Sequence, residues 1–316
     1  MTICLNDNAA RLCAEVIVRA DQLRIDVHRV DEGGVLIDCG VRARGGLEAG
    51  LALAEICLAG LGRVQLVADD PSVWTGPAVT VRTDHAVAAC MASQYAGWQI
   101  AAEDYFAMGS GPMRAAAGRE ALYDAIGFRE RPAVAVGVLE SNRLPTASVC
   151  AHLAEACGVS PAGLTLLVAR TASLAGSLQV VARTVETALH KLHELDFDLG
   201  RVQSGVGVAP LPPIAADDLT AIGRTNDAVL YGGRVTLWVR GDDASLAAVA
   251  PRVPSSASPD FGRPFAEIFA HYDRDFYRID PQLFSPAVVT LINLDTGRSW
   301  TCGEPRPELL RASFLA

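Results

Sequence analysis

The order of apolar and polar residues along the chain predicts alternating helices and strands. Apolar residues recur at helical spacing from Asn8, a suitable N-terminal cap, to Ala20, and again from Gly46 to Leu61. Short apolar runs bounded by glycine or polar residues predict buried strands. These runs cover residues 34–40, 64–67, 133–139, 164–169, 234–239 and 288–293. Helices and strands intermixed in this way predict an α/β fold with mixed α+β layers.

Two segments rich in turn-forming residues are candidate linkers, at residues 141–145 and 205–213. A chain of 316 residues is long enough for two domains. We place the boundary near residue 145, which gives an N-terminal α/β domain of residues 1–145 and a C-terminal α/β domain of residues 146–316. A discontinuous domain is the alternative.

Composition narrows the classes of function. The net charge of −9 argues against a nucleic-acid groove, and Lys191 is the only lysine among 27 lysines and arginines. No Gly-Lys-Ser/Thr motif is present, so a Walker A nucleotide site is excluded. Eight scattered cysteines without a CxxC pair predict reduced, buried thiols. No apolar run reaches the ~18 residues of a membrane span, and no secretory signal is evident, so we expect a cytoplasmic protein.

Two motifs imitate known sites. Met108–Arg114 begins like a dinucleotide-binding loop, but Arg114 occupies the third glycine position, so we predict a tight turn that leads into a helix from Arg114 to Ala125. His190 and His193 lie three residues apart beside Glu194. Because no HExxH pattern exists and the other histidines are dispersed, we assign no metal to them.

The helix predicted over Ser177–Asp196 separates an apolar arc from a polar one. The polar arc consists of Gln179, Arg183, Glu186, Thr187, His190, His193 and Glu194. Arg183 and Glu186 are neighbours at i, i+3, a pair that stabilises an exposed helix by ~0.3–0.5 kcal/mol. The pattern indicates only that this face lies outside the core, and it leaves open whether the face borders bulk water or a cleft.

Several segments occur in an order that resembles methenyltetrahydromethanopterin cyclohydrolase of methanogenic archaea and methylotrophic bacteria. They are Ala92–Trp98, Met108–Pro112, Gly223–Gly233, Pro254–Ser258 and Tyr272–Pro281. The resemblance spans the chain from about residue 34 to the C-terminus. It implies a homotrimeric hydrolase whose subunit has two α/β domains flanking a large pocket. It also implies a small-molecule pterin substrate, with no metal and no redox cofactor.

The same resemblance implies that Arg183 and Glu186 are the catalytic pair. Our hypothesis for their roles is that Glu186 is the acid and base and that Arg183 orients Glu186 and the attacking water. For the pterin we assign polar residues from the matching segments and one ring for stacking. They are Ser93, Gln94, Tyr95, Ser110, Glu140, Asn226 and Asp227. Turn and capping roles are the alternative for each of them.

Two other functions stay open. One is a related cyclohydrolase that acts on a methenyltetrahydrofolate, which turnover of both substrates side by side would distinguish. The other is a non-catalytic pterin-binding or carrier protein, which tight binding without product formation would favour. The arginine-rich composition favours a bacterial pathway of formaldehyde oxidation over methane formation.

Overall fold

The computed structural model describes residues 3–30, 33–102 and 105–315. The chain divides into two compact units, and each is built from two stretches of sequence. Unit 1 comprises Met1–Gly62 and Ala88–Gln179, and unit 2 comprises Arg63–Val87 and Val180–Ala316. Residue 145, the predicted boundary, lies within unit 1. Both units combine helices with a mixed sheet, which confirms the α/β fold.

Unit 1 contains a six-stranded sheet. In spatial order its strands are β1 (Asp26–Arg29), β2 (Val35–Gly40), β8 (Leu164–Ala169), β7 (Ala135–Glu140), β6 (Tyr105–Ser110) and β5 (Trp98–Ala102). Strands β2, β8 and β7 are parallel, and the outer strands β1, β6 and β5 pair antiparallel. The parallel strands are almost wholly buried, as strands covered on both faces must be.

Helices cover both faces of this sheet. They are α1 (Leu5–Val18), α2 (Ala20–Leu23), α3 (Leu47–Cys57), a π-helix (Val87–Gln94), α4 (Met113–Ala117), α5 (Leu122–Ile126), α6 (Ala147–Cys157) and α7 (Leu174–Val181), which leads into unit 2. Ile37 and Leu167 belong to the core shared with α1 and α3. Their neighbours Leu36 and Leu166 belong to the core shared with α6. This alternation follows the two-residue period of a strand.

Unit 2 contains a second six-stranded sheet. In spatial order its strands are β12 (Ser299–Gly303), β11 (Val288–Asn293), β10 (Arg234–Val239), β9 (Val202–Pro210), β4 (Pro77–Thr83) and β3 (Gly62–Ala68). Its helices are α8 (Thr184–Glu194), α9 (Asp218–Gly232), α10 (Asp243–Val249), α11 (Phe265–His271) and α12 (Pro307–Phe314). Helix α8 packs on β9, β10 and β4. Among the helices in the described part of the chain, none has the length and apolarity that a membrane crossing requires.

Some boundaries differ from the sequence prediction. Strands β8, β10 and β11 begin and end where the apolar runs predict. Helix α1 begins at Leu5 with Cys4 as its N-cap, so the prediction of Asn8 as the cap is wrong. The interpretation of residues 205–213 as a linker is also wrong, because Gly205 to Pro210 belong to β9 in the middle of the second sheet.

The predicted helix from Arg114 to Ala125 is two short helices, α4 and α5. Helix α4 ends at Gly118, whose φ of 55° is the left-handed conformation that stops a helix at low cost in glycine. The tight turn before α4 is present, with Gly111 at φ 86°. A Cβ at Gly111 would lie 3.3 Å from the Val138 backbone nitrogen, so this turn runs close against β7.

Candidate active site

The predicted helix over Ser177–Asp196 is interrupted just before the candidate catalytic pair. Helix α7 ends at Val181 and α8 begins at Thr184, so the prediction of one continuous helix is wrong. The Thr184 hydroxyl donates to the Val181 carbonyl oxygen at 2.9 Å. Arg183 has φ −86° and ψ 8°, a sparsely populated region in which active-site residues are often found. Arg183 is therefore the N-cap of α8, and Glu186 lies in its first turn.

Both residues of the pair are buried. Arg183 is 7 % exposed and Glu186 is 5 % exposed, and Gln179 on the preceding helix is also buried. The sequence leaves open whether this polar face borders bulk water or a cleft, and the burial of these three residues shows that this part of it does not border bulk water. Buried charges are stable only when they are paired or hydrogen-bonded, so surface decoration does not explain the pair. The first turn of a helix also stabilises the negative charge of Glu186.

Two glycines of β9 allow the start of α8 to lie close to the sheet. A Cβ on Gly205 would lie 2.8 Å from Val185 Cγ1, and a Cβ on Gly207 would lie 3.0 Å from Thr184 Cβ. Thr184 and Val185 are the two residues between the members of the pair. Glycine inside a strand often marks such a close approach. The glycines that imitate a linker in the sequence therefore fix the position of the candidate catalytic turn.

The π-helix of unit 1 carries two predicted pterin-binding residues, Ser93 and Gln94, at its C-terminal end. All its residues from Ala88 onward are buried, and the Tyr95 N–H donates to the Cys90 carbonyl five residues back at 2.8 Å. Extended π-helices are rare and occur frequently at functional sites. The sequence pattern predicts only a loop or the end of an element here, because hydrophobic periodicity does not register this hydrogen-bond pattern.

Residues from two separate motifs meet at Cys57, the last residue of α3. The Ser93 hydroxyl donates to the Cys57 carbonyl at 2.7 Å, and the Cys57 Sγ lies 3.4 Å from Ser110 Oγ. The Cys57 Sγ also lies 4.0 Å from the Gln94 carbonyl oxygen, and the Gly111 N–H donates to the Ser93 carbonyl at 2.8 Å. The structure thus brings Ser93, Gln94 and Ser110 together around Cys57.

Glu140 is the last residue of β7 and lies near this cluster. In the antiparallel register, Glu140 is opposite Met108 and Val138 is opposite Ser110. Opposed residues of antiparallel strands point to the same face, so Glu140 and Ser110 share one face of the sheet. Thr171 donates its hydroxyl hydrogen to Glu140 Oε1. The carboxyl ends of parallel strands are the usual ligand-binding edge of such sheets.

Arg114 is a residue of this region whose importance the sequence does not reveal. It is fully buried, and its guanidinium carbon lies 4.9 Å from the centre of the Tyr95 ring. It forms an ion pair with Glu120. In the sequence, Arg114 is notable only because it occupies the third glycine position of an incomplete dinucleotide-binding motif.

The structure gives Asn226 and Asp227 contacts with the backbone. The Asn226 side-chain amide donates to the Ile222 carbonyl at 2.8 Å within α9. Asp227 is fully buried, and its Oδ1 accepts from the Phe265 N–H, the first of α11, at 2.8 Å. Burial raises the pKa of Asp227 to about 7. These hydrogen bonds correspond to the capping alternative for Asp227 and to a local role for Asn226.

The opposite side of α8 is anchored by the only lysine. Lys191 is buried, and its Nζ donates to the Gln282 carbonyl oxygen. Burial lowers the pKa of Lys191 to about 8 and that of His190 to about 4. The His190 Nε2 lies 3.6 Å from Glu194 Oε1, which gives that histidine a partner within its own helix.

One group of metal-ligand types occurs among the described residues. Ligand atoms of Asp26, His28 and Asp38 lie within 4.8 Å of one another. The Asp38 carboxylate accepts four backbone N–H groups of residues 40–43 at 2.7–3.1 Å. These bonds explain Asp38 as the residue that shapes the turn after β2, so we assign no metal to the group.

Comparison with known proteins supplies the family. A family model described as Cyclohydrolase (MCH) matches residues 4–314. Proteins named methenyltetrahydromethanopterin cyclohydrolase are similar to this chain over nearly its whole length. One from Rhodopirellula baltica is 51 % identical over 287 residues, covering 89 % of this chain and 86 % of its own. One from Xanthobacter autotrophicus is 50 % identical over 313 residues, covering 99 % and 93 %. One from Methanosarcina barkeri is 41 % identical over 315 residues, covering 99 % and 98 %. The chain therefore belongs to the cyclohydrolase (MCH) family.

Proposed function

We propose that this protein hydrolyses 5,10-methenyltetrahydromethanopterin to 5-formyltetrahydromethanopterin. Membership of the family and the names of its relatives support the substrate and the reaction. The observation that carries the catalytic assignment is the burial of Arg183 and Glu186 together at the first turn of α8. An arginine and a carboxylate held there are suited to activate a water molecule against a cationic carbon.

The first step is the attack of water on the methenyl carbon. This carbon bridges N5 and N10 and shares a delocalised positive charge, so it is already a strong electrophile. Water forms a C–O bond to it while Glu186 accepts one proton from the water, which leaves a neutral carbinolamine. Arg183 orients both Glu186 and the water through its fixed array of donors. Because attack on a cation acidifies the water, a carboxylate is a sufficient base.

The second step opens the ring. Glu186 returns its proton to N10, the C–N10 bond breaks, and the hydroxyl proton leaves as the formyl C=O bond forms on N5. The overall reaction therefore consumes one water and releases one proton. General acid–base catalysis of this kind contributes ~10²–10⁴ in rate. A carboxylate near the methenyl carbon also attracts the cationic substrate directly.

For the pterin ring, the proposed binding residues are Ser93, Gln94, Tyr95, Ser110 and Glu140. Their support is the convergence of Ser93, Gln94 and Ser110 on Cys57, together with the shared sheet face of Ser110 and Glu140. Amide and hydroxyl groups match the donors and acceptors of a heterocycle edge, and an aromatic ring can stack on it. The assignments of Asn226 and Asp227 to the same ligand stay predictions.

The test follows the loss of methenyl-pterin absorbance with wild type and Glu186→Gln, each supplied with tetrahydromethanopterin-type and folate-type substrates. We expect rapid wild-type turnover of the first substrate. We expect kcat of Glu186→Gln to fall by ~10²–10⁴, because glutamine keeps the shape of the side chain but removes the base. Glu194→Gln is the matched control, since Glu194 lies on the same helix and contacts His190.

The outcomes separate the competing functions. Preferred turnover of the folate substrate would replace the proposed substrate with the related one. Tight binding without turnover of either substrate would indicate a pterin carrier. Wild-type turnover with an equally active Glu186→Gln variant would keep the function and disprove the mechanism.

The family resemblance also extends the proposal to assembly and cofactors. We include a homotrimer, an absence of any metal or redox cofactor, and a cytoplasmic location without nucleic-acid partners. Light scattering on the purified protein tests the trimer. Full activity after dialysis against a chelator tests the independence from metal.

A further inference from the structure

The carbonyl groups at the C-terminal end of the π-helix need hydrogen-bond partners, because the last carbonyls of a helix have none within it. The Ala92 carbonyl accepts from the Tyr123 hydroxyl at 2.8 Å. The Met91 and Ser93 carbonyls accept from Arg114 Nη1 at 3.1 and 3.3 Å. Two side chains from α4 and α5 therefore hold three consecutive carbonyls next to the proposed pterin-binding residues.

Arg114 is itself held rigidly. Its Nε donates to Glu120 Oε1 at 2.9 Å, and its Nη2 donates to Glu120 Oε2. The guanidinium carbon lies 4.9 Å from the centre of the Tyr95 ring and 5.5 Å from that of Tyr123. This arrangement neutralises a fully buried cation and uses Nε, Nη1 and Nη2 at once. A lysine, with one nitrogen, cannot reproduce the fork or the stacking.

Gly97 shows how closely the following turn is packed around this cluster. A Cβ on Gly97 would lie 2.3 Å from Glu120 Oε2 and 2.6 Å from Tyr95 Cε1. The path of the chain after Tyr95 therefore depends on the position of the Glu120 carboxylate, which in turn depends on Arg114.

We propose that Arg114, supported by Glu120 and Tyr123, is a positioning residue that sets Ser93, Gln94 and Tyr95 for the pterin. The proposal rests on the proposed function. Arg114 has no exposed surface and acts through the segment it holds. Without it, the π-helix end would lose two carbonyl contacts and Tyr95 would lose its stacking partner, so the pterin-binding groups would shift. The proposed catalytic pair belongs to unit 2.

The experiment compares KM and kcat of Arg114→Lys with wild type on the methenyl-pterin substrate. We expect KM to rise about tenfold with kcat within about twofold, the signature of lost binding that is equal in the ground and transition states. Arg129→Lys is the matched control, because Arg129 forms an exposed ion pair with Asp124 in the same unit. Its KM should equal that of wild type.

Tyr123→Phe keeps the proposal testable if Arg114→Lys does not fold. It removes only the hydroxyl that binds the Ala92 carbonyl, and we expect KM to rise about threefold, as the loss of one hydrogen bond would cause. A lower Tm with unchanged KM in the folded variants would show a purely structural role and overturn the proposal. An inactive wild type would instead overturn the proposed function, and this proposal with it.

Discussion

Glu186 and Asp227 are both buried carboxylates of unit 2, and each is close to the N-terminal end of a helix. Their surroundings differ. Asp227 projects from α9 and accepts the first N–H of α11, so its oxygen caps another helix. Glu186 lies in the first turn of its own helix, and Arg183 is the N-cap of that helix. Burial and charge therefore do not by themselves identify a catalytic group. The hydrogen bond from the Phe265 N–H shows that the Asp227 carboxylate maintains the fold.

The largest effect in this comparison of Glu186 with Asp227 is expected from a variant with a shorter side chain at Glu186. In Glu186→Asp the carboxylate is retained but withdrawn by one methylene, and we expect kcat to fall about 100-fold, since a misplacement of about 1 Å can have that effect. The Tm should stay near that of wild type, and Glu194→Asp on the same helix should keep full kcat. If Glu186→Asp lowers the Tm but leaves kcat unchanged, Glu186 is a structural group, as Asp227 is.

A smaller effect is expected from Gly207→Ala, which leaves both carboxylates in place. The new Cβ would lie 3.0 Å from Thr184 Cβ and would push the first turn of α8 away from the sheet. We expect kcat to fall about tenfold because the pair moves with that turn. Ser204→Ala on the same strand should not change kcat. An unchanged kcat in Gly207→Ala would mean that the position of α8 does not depend on this contact.

The smallest effect is expected from Asp227→Asn, and it concerns stability alone. The pKa of Asp227 is raised to about 7 in the folded protein, so its contribution to stability is complete below pH ~4 and is lost as pH rises toward 7. The loss is about 4 kcal/mol at most. Asparagine still accepts from the Phe265 N–H but does not ionise, so its Tm should exceed that of wild type by a few degrees at pH 8.

Thermal unfolding between pH 4 and 8 measures this difference, with Glu304→Gln as an exposed carboxylate control in the same unit. The kinetics of Asp227→Asn should match wild type. A raised KM of Asp227→Asn would show that capping α11 is not the only role of Asp227. It would support the predicted contact of Asp227 with the pterin.

Hydrophobic patterns predict the strands well where packing alone determines them. The strands over 164–169, 234–239 and 288–293 have the predicted limits, because each is an apolar run in the body of a sheet. The same patterns fail where backbone hydrogen bonding determines the structure. The break before α8 involves the Thr184 hydroxyl, and the π-helix involves a bond from Tyr95 to Cys90. Neither contact changes the spacing of apolar residues.

In the candidate site too, the sequence predicts what depends on helical spacing and misses what depends on specific contacts. Helical spacing brings Arg183 and Glu186 together, but only the structure shows that they are buried. The meeting of Ser93 with Ser110 depends on the packing of Cys57 between distant segments. The role of Arg114 cannot be predicted from the sequence, because its partners Glu120 and Tyr123 do not follow it at the spacing of neighbours on one continuous helix. They reach Arg114 only because α4 ends at Gly118 and the chain then turns into α5.

The pairing of β4 with β9 also affects the order in which the protein can fold. It joins residues 77–83 to residues 202–210, so β4 leaves the ribosome long before its partner exists. The whole second stretch of unit 1, Ala88–Gln179, must be synthesised in between. Such long-range closure slows folding and leaves an unpaired strand edge exposed. A nascent chain stopped near residue 145 would lack both β8 and β9, so neither sheet could be completed before most of the polypeptide has emerged.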